Sequence, residues 1–192
     1  MKRRREATTE GLRRDASENR TKILDAARHV FADHGTDAPL EAIATEAGVG
    51  IATLYRRFPT REDLLATIVG EELEAYLRVL QEALGRDDAW EGFSSFLERM
   101  FELQARHPGL CHAPFMQLPN ADAIDEGRAR MLRMTEELIE RAKDQGSLRP
   151  DVTGQDVMLA GWGNTGVITN AEVAPEALKR YLALILDAFR VR

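Results

Sequence analysis

The chain has 192 residues, of which 44% are hydrophobic and 30% are charged, and its formal net charge is -6. This composition is typical of a soluble globular protein with a packed core, and it excludes a disordered or fibrous chain. The longest uncharged segment, Val157–Ala171, is shorter than the about 18 apolar residues of a membrane span and contains glycine, asparagine and threonine. No transmembrane helix is therefore expected.

The N-terminus carries a basic cluster, Lys2–Arg5, that no apolar segment follows. A secretory signal is therefore not expected, and the cytoplasm is the predicted location. Cys111 is the only cysteine, which excludes an intramolecular disulfide framework.

The net negative charge hides an asymmetry along the chain. Residues 1–60 hold 11 Lys+Arg against 9 Asp+Glu, whereas residues 61–192 hold 15 against 23. Residues 1–22 alone hold 8 basic and 4 acidic side chains. We expect residues 1–16 to form a flexible basic arm, which either contacts an anionic partner or is a solvated tail.

Helical periodicity recurs along the first half of the chain. Apolar residues between Ile23 and Phe31 share one helix face, and Gly35 marks the end of that helix. Two short helices follow, Leu40–Ala47 with Pro39 near its start and Ile51–Phe58 ending before Pro59. Thr60 and Asp63 form a capping signal for a long helix that reaches about Leu84.

The second half shows the same periodicity and no strand-like alternation. Start signals occur at Asp88 and Thr153, and Pro175 marks the start of a final helix. A further apolar stripe runs from Met131 to Ala142. The prediction is an all-α fold, with an arm at 1–16, a first helical domain at 17–65 and a second helical domain at 66–192.

The pattern between Leu40 and Phe58 is a short helix, a glycine turn and a second short helix. This is the arrangement that sets a recognition helix into the major groove of DNA. A small Ala44 is expected where the helices cross, Gly48 in the turn, and Leu54 and Phe58 as anchors of the second helix. Thr53, Tyr55, Arg56 and Arg57 then face outward, with the hydroxyl and guanidinium groups that contact phosphates and base edges.

The segment ATEAGVGIATLYRRFPTREDL, residues 44–64, resembles the signature of the TetR family, and ILDAARHVFADHG, residues 23–35, resembles that family's first helix. The resemblance implies a three-helix DNA-binding domain, a helical ligand-binding domain, and a dimer formed by the last two helices, about 155–170 and 175–190. It implies a repressor of a near-palindromic operator on double-stranded DNA, released by a small, largely apolar effector.

Carried over by position, the resemblance assigns Gly50, Ile51 and Arg56 to base edges and Thr53, Tyr55, Arg57 and Arg61 to phosphates. The chain departs from the family pattern in having Gly50 where a helix-capping serine is frequent, Pro39 where threonine is frequent and Arg61 where lysine is frequent. Positions 39 and 50 therefore lack the hydroxyls that would make a phosphate or cap contact.

Several apolar and aromatic side chains of the second domain are candidates for a ligand pocket. Phe115 and Met116 fall in a predicted loop or short helix near proline and glycine, where apolar side chains often line cavities. Asn164 is a candidate for orienting a ligand, and the alternative is a hydrogen bond across the dimer. The complete candidate set is Phe93, Phe96, Met100, Phe115, Met116, Trp162 and Asn164, and the alternative for each apolar member is an ordinary core position.

Three further interpretations complete the sequence analysis. Gly161, Gly163 and Gly166 are hypothesised to permit close helix packing at a dimer interface. His107, Cys111 and His112 lack the paired spacing of a metal site, so no metal and no cofactor are expected. No catalytic constellation or dinucleotide fingerprint is present, so an enzyme is not expected. The alternative that remains is a DNA-binding regulator without a small-molecule ligand.

Overall fold

The computed structural model describes residues 2–106, 118, 121–169 and 175–191. The described part is all helical, apart from an isolated bridge between Leu148 and Arg190. The helices are α1 (Lys2–His34), α2 (Leu40–Glu46), α3 (Ile51–Arg57), α4 (Arg61–Leu84), α5 (Ala89–Arg106), α6 (Asp122–Asp144), α7 (Gly154–Thr169) and α8 (Pro175–Phe189). The predicted fold class is confirmed.

The chain divides into two compact units, Met1–Ile68 and Val69–Arg192, and α4 contributes residues to both. α1 begins at Lys2, so it includes the residues for which the sequence suggests a flexible arm. The physical reason is composition, because arginine, glutamate and alanine are frequent there and favour helix.

In the first unit, α1 packs against α2 and α2 packs against α3. The predicted stripe of α1 is buried, with Ile23, Ala27 and Phe31 at its centre. Pro39 precedes α2 as its N-cap residue, in an extended conformation rather than in the first turn. Helix α4 starts with a reciprocal capping box, because the Asp63 carboxylate accepts from the Thr60 backbone N–H at 3.1 Å and the Thr60 Oγ1 accepts from the Asp63 N–H at 3.0 Å. The predicted cap is confirmed.

In the second unit, α5 packs against α6, α7 and α8, and α7 also packs against α6 and α8. The connection between α4 and α5 is held by the end of α6. Gln145 accepts from the backbone N–H of Ala89 at 2.9 Å and donates to the carbonyl of Asp87 at 3.1 Å. Arg141 donates to the carbonyls of Leu84 and Arg86. These bonds satisfy polar backbone groups that have no helical partner.

The remaining predicted helix starts are also confirmed. Asp88 accepts from the backbone N–H of Glu91 at 2.8 Å, ahead of α5. At the start of α7, the Asp156 carboxylate accepts from the backbone N–H of Thr153 at 2.8 Å and from its hydroxyl at 2.7 Å. These bonds hold the pKa of Asp156 below its ordinary value.

Candidate nucleic-acid interface and ligand cavity

The turn between α2 and α3 fixes the direction in which α3 leaves. Gly48 has φ +65, a left-handed conformation that costs an L-residue with a side chain about 1–2 kcal/mol. The turn is closed by bonds from the N–H groups of Ala47 and Val49 to the carbonyls of Ile43 and Ala44, at 2.9 and 3.0 Å. Ala44 is buried at this point, where the crossing of the two helices was expected to need a small side chain.

Two apolar side chains anchor α3 and so determine which face it exposes. Leu54 is fully buried and Phe58 is 4% exposed. The guanidinium of Arg20 lies over the Phe58 ring, 6.0 Å from its centroid. Helix α3 is therefore held by one side, and its other side is left open to a partner.

The open side of α3 carries the side chains predicted to contact DNA. Ile51 is 37% exposed and Tyr55 is 45% exposed, and Arg56 and Arg57 are exposed beside them in the last turn. Thr53 is half-buried. The surface formed by Gly50, Ile51, Thr53, Tyr55, Arg56 and Arg57 is called the α3 face below. Gly50 is the N-cap of α3 and provides no side-chain cap.

Arg61 has a structural partner that the sequence did not reveal. Its Nη1 donates to the carbonyls of Thr36 and Ala38, at 2.7 and 2.5 Å, in the connection between α1 and α2. A guanidinium has five N–H donors, so Nη2 and Nε remain for the phosphate contact that the resemblance implies. No local sequence signal indicates this bond, because its acceptors lie 23 and 25 residues earlier in the chain.

The second unit contains a cavity of about 50 Å³ among α4, α5, α6 and α7. Its lining is mostly apolar, with three methionines and four side chains that can form hydrogen bonds, those of Tyr76, Gln104, Thr135 and Trp162. The lining residues are Tyr76, Phe96, Met100, Gln104, Met131, Leu132, Thr135, Gly154, Val157, Met158, Gly161 and Trp162. None of these side chains is charged.

Some of the predicted ligand-binding residues line the cavity. Phe96, Met100 and Trp162 line it. Phe93 does not, because it is fully buried with its ring 6.1 Å from that of Trp90 and 6.0 Å from that of Phe189. Asn164 is fully buried behind the wall and bonds to Gln104. Phe115 and Met116 lie outside the described residues.

Sequence reasoning missed the polar members of the lining. One signal was present in α5, because Gln104 continues the helical spacing of Phe93, Phe96 and Met100 and so falls on the apolar stripe. Gln104 is 6% exposed, in agreement with its place on this buried stripe. Tyr76 and Thr135 lie on helices distant in sequence, so their meeting follows only from the tertiary fold.

Of the three α7 glycines hypothesised to lie at a dimer interface, two contact side chains of the same chain. A Cβ at Gly161 would lie 3.1 Å from the Nε2 of Gln104, and one at Gly163 would lie 2.1 Å from the hydroxyl of Tyr181. Gly166 faces open space. The interface hypothesis is therefore unnecessary for Gly161 and Gly163, since α5 and α8 of the same chain account for them.

Tyr181 connects α8 to α7 and α5. Its hydroxyl donates to the carbonyl of Ala160 at 3.1 Å, and its ring stacks on that of Phe101 with 5.7 Å between centroids. Burial raises the pKa of Tyr181. The tyrosine therefore stays neutral near pH 7 and acts as a hydrogen-bond donor.

Helices α7 and α8 carry large apolar side chains that remain exposed. Leu159 is 53% exposed, Trp162 44% and Leu184 50%. From Glu176 to Phe189, no side chain of α8 is fully buried, although the helix is apolar along one side. Exposed apolar area of this kind is typical of a protein interface.

Two expected absences concern metals and membranes. In the part of the chain that the structure describes, no cluster of His, Cys, Asp and Glu fits a metal ion. His107, Cys111 and His112 lie outside that part. None of the described helices combines the length and hydropathy required to cross a bilayer.

Comparison with known proteins gives two family matches. The model for bacterial regulatory proteins of the tetR family matches residues 23–68. The model for the C-terminal domain of SbtR-like transcriptional regulators matches residues 88–191. An HTH-type transcriptional regulator of Staphylococcus aureus (strain USA300) is 34% identical over 67 residues, which are 34% of this chain and 36% of that protein. The match thus spans about a third of that curated relative's length.

Solved structures match over most of the chain. A TetR transcriptional regulator from Streptomyces coelicolor is 30% identical, with 89% of this chain and 98% of that one covered and a TM-score of 0.58. A tetR-family regulatory protein from Rhodococcus RHA1 is 19% identical, with 89% and 96% covered and a TM-score of 0.72. The ketosteroid transcriptional regulator KstR2 of Mycobacterium tuberculosis is 18% identical, with 90% and 95% covered and a TM-score of 0.71. The last two similarities concern the fold alone.

Proposed function

Because the chain belongs to the TetR family of DNA-binding transcriptional regulators, we propose that it is a repressor that binds a near-palindromic operator as a dimer and is released by a small, largely apolar effector. The family is one of regulators, so the prediction that the chain is not an enzyme is confirmed. The observation that carries the proposal is the α3 face, held outward by buried Leu54 and Phe58.

The α3 face has the chemistry needed to read and hold DNA. Arg56 is assigned to base edges, where a guanidinium recognises guanine through two parallel hydrogen bonds. Arg57 and Tyr55 are assigned to phosphates, which set the position of the helix without reading sequence. Ile51 offers an apolar contact to a thymine methyl group. Arg61 contributes by holding the α1–α2 connection and by its remaining N–H groups.

The proposed dimer uses the exposed apolar sides of α7 and α8. Leu159 and Leu184 are each at least half exposed in the single chain, so burying them against a second copy would favour association. A two-fold arrangement presents two copies of α3 to one side of the duplex, about 34–36 Å apart if they contact successive turns. An operator read in this way is near-palindromic.

The proposed effector site is the cavity lined by Phe96, Met100 and Trp162. Its 50 Å³ is small beside the about 300 Å³ or more of most ligand sites, so binding requires the walls to separate. Met100, Met131 and Met158 suit such a change, since methionine side chains adapt to different shapes. The effector is thus expected to open a cavity that is narrow in the described conformation.

Release from the operator requires that the cavity and α3 be coupled. Helix α4 is continuous from Arg61 to Leu84; its residues Leu64, Leu65 and Ile68 belong to the core of the first unit, and Tyr76 lines the cavity. An effector that moves Tyr76 therefore acts on a helix that also packs in the DNA-binding unit. Coupling between two sites in proteins is about 1–3 kcal/mol, or about 5- to 150-fold in affinity.

The test is selection of DNA from a random pool by the purified full-length chain, followed by release with a metabolite library. An enriched inverted repeat, bound by two chains and released by a compound that also raises the melting temperature, supports the whole proposal. A saturating ligand at 100 times its Kd stabilises the protein by about 2.7 kcal/mol. If a DNA sequence is enriched but no compound stabilises the protein or releases it from DNA, the proposal of an effector is contradicted. If no DNA sequence is enriched, the proposal of operator binding is contradicted.

A further inference from the structure

The chemistry of the cavity wall restricts the charge of the effector. The lining contains no carboxylate, ammonium, guanidinium or imidazole group. Burying an unpaired charge in such surroundings is expensive. The carboxylate of Glu136 lies near the lining residue Gly154, since a Cβ built at Gly154 would be 3.1 Å from it. Glu136 is exposed, so its carboxylate repels an anion and is too well solvated to hold a cation strongly.

The orientation of one amide determines which end of Gln104 faces the cavity. The amino group of Asn164 donates to the carbonyl of Phe101 at 3.4 Å and to the Oε1 of Gln104 at 2.8 Å. A backbone carbonyl only accepts hydrogen bonds, so it fixes the amino end of Asn164 on this side. Gln104 must then turn its oxygen toward Asn164.

The Nε2 of Gln104 consequently points away from Asn164, toward α7 at Gly161. The Cβ of any other residue at position 161 would lie 3.1 Å from Nε2, so the absence of a side chain leaves room for this amino group. Gln104 and Gly161 both line the cavity. The wall therefore offers a hydrogen-bond donor at this point.

Asn164 retains an unsatisfied group while it holds Gln104. Its side chain is fully buried, and its Oδ1 has no hydrogen-bond partner among the described residues. A buried unpaired carbonyl oxygen is costly, and an apolar residue of similar size would avoid this. Asn164 nevertheless orients the amide of Gln104, and we therefore infer that it is a positioning residue.

We propose that the cavity selects an uncharged effector with an apolar body and one hydrogen-bond-accepting oxygen, which the Nε2–H of Gln104 recognises. A ketone, ester or amide carbonyl has this chemistry. The methionines and aromatic rings accommodate the apolar body, and the amide provides the polar contact. This inference rests on the proposed function, because it names the class of effector for the same cavity.

The test uses four probes of equal chain length: 2-heptanone, 1-heptene, heptanoate and heptylammonium. Binding to the full-length protein is followed by tryptophan fluorescence, since Trp162 lines the cavity, and by thermal shift. Wild-type protein is expected to bind 2-heptanone more tightly than either ion. In Gln104→Leu, the ratio of ketone to alkene affinity should fall about 2- to 10-fold, which is the net effect of one hydrogen bond, while alkene binding persists.

Two further variants complete the design. Gln155→Leu makes the same substitution at an exposed position of α7 outside the lining and should leave the ratio unchanged. Asn164→Leu should lower the ratio without removing a group that touches the probe. If that variant does not fold, Gln104→Leu decides alone, because leucine has a similar volume and the amino group of Asn164 keeps its bond to the carbonyl of Phe101.

Three results would overturn the inference: tighter binding of heptanoate or heptylammonium, an unchanged ketone-to-alkene ratio in Gln104→Leu, or no binding of any probe. None of these three results would contradict the proposal that the α3 face selects an operator sequence. Failure of the proposed function has a different signature, namely no enriched DNA sequence or no compound that releases the operator.

Discussion

Replacing Gly163 with alanine adds one methyl group where α7 meets Tyr181 of α8. The new Cβ would lie 2.1 Å from the tyrosine hydroxyl and 3.0 Å from its Cζ, so the ring must move. Movement is opposed by the 3.1 Å hydrogen bond to Ala160 and by stacking on Phe101. The tyrosine ring is thus held at two points and does not move freely away from the added methyl group.

The expected loss of stability follows from three contributions. Overpacking costs about 1–3 kcal/mol, and losing the tyrosine hydrogen bond costs about 1 kcal/mol. Alanine is favoured over glycine inside a helix by about 1 kcal/mol. The free energy of unfolding should therefore fall by about 1–3 kcal/mol, which lowers Tm by roughly 2–12 °C in a chain of this size.

Gly70→Ala is the matched control, because it also lies inside a helix, α4, with nothing within 4 Å of the added Cβ. It should raise stability by about 0.5–1 kcal/mol. Adding Tyr181→Phe to Gly163→Ala removes the closest atom and should recover more than half of the loss. Urea denaturation at one protein concentration measures all four proteins, the wild type included. Equal stabilisation by both alanine substitutions would refute the packing argument.

Three further predictions concern separate parts of the molecule. Leu54→Ala removes a fully buried anchor of α3 and should cost about 2–5 kcal/mol; hydrogen exchange that becomes faster only outside the first unit would contradict it. Leu184→Glu should shift the mass in light scattering toward monomer, while Lys179→Glu on the same helix should leave it unchanged. Thr153→Ala should cost about 0.5–2 kcal/mol at neutral pH. Because the pKa of Asp156 is lowered in the folded state, this contribution is present above about pH 4 and is lost as pH falls through the folded pKa, so the wild type and variant should converge in acid.

The DNA-binding unit was largely predictable because its determinants are local. Gly48 has the left-handed conformation that its place in the motif suggests, and Leu54 and Phe58 are buried at helical spacing. The capping signals at Thr60 and Thr153 act over three residues, so the sequence alone contains both partners. Together with the family resemblance, these features predict the helices and the exposed side of α3.

The cavity was less predictable because helices distant in sequence build it. Trp162 and Phe96 belong to the lining, whereas Phe93, on the same apolar stripe, packs against Trp90 and Phe189 instead. Periodicity identifies an apolar face but not which of its members meets a gap between helices. The close approach of Gly163 to Tyr181 is hidden for the same reason, since it depends on how α8 packs against α7.

The most direct test of the central claim is the salt dependence of operator binding by wild-type protein, Arg57→Ala and Arg133→Ala. Arg57 lies on the α3 face, and Arg133 is an exposed arginine of α6. We expect Arg57→Ala to weaken binding and to reduce the slope of log K against log salt by about 0.9 for each phosphate that is no longer neutralised, with Arg133→Ala equal to wild type. Equal affinity and slope for all three proteins would contradict DNA binding through α3.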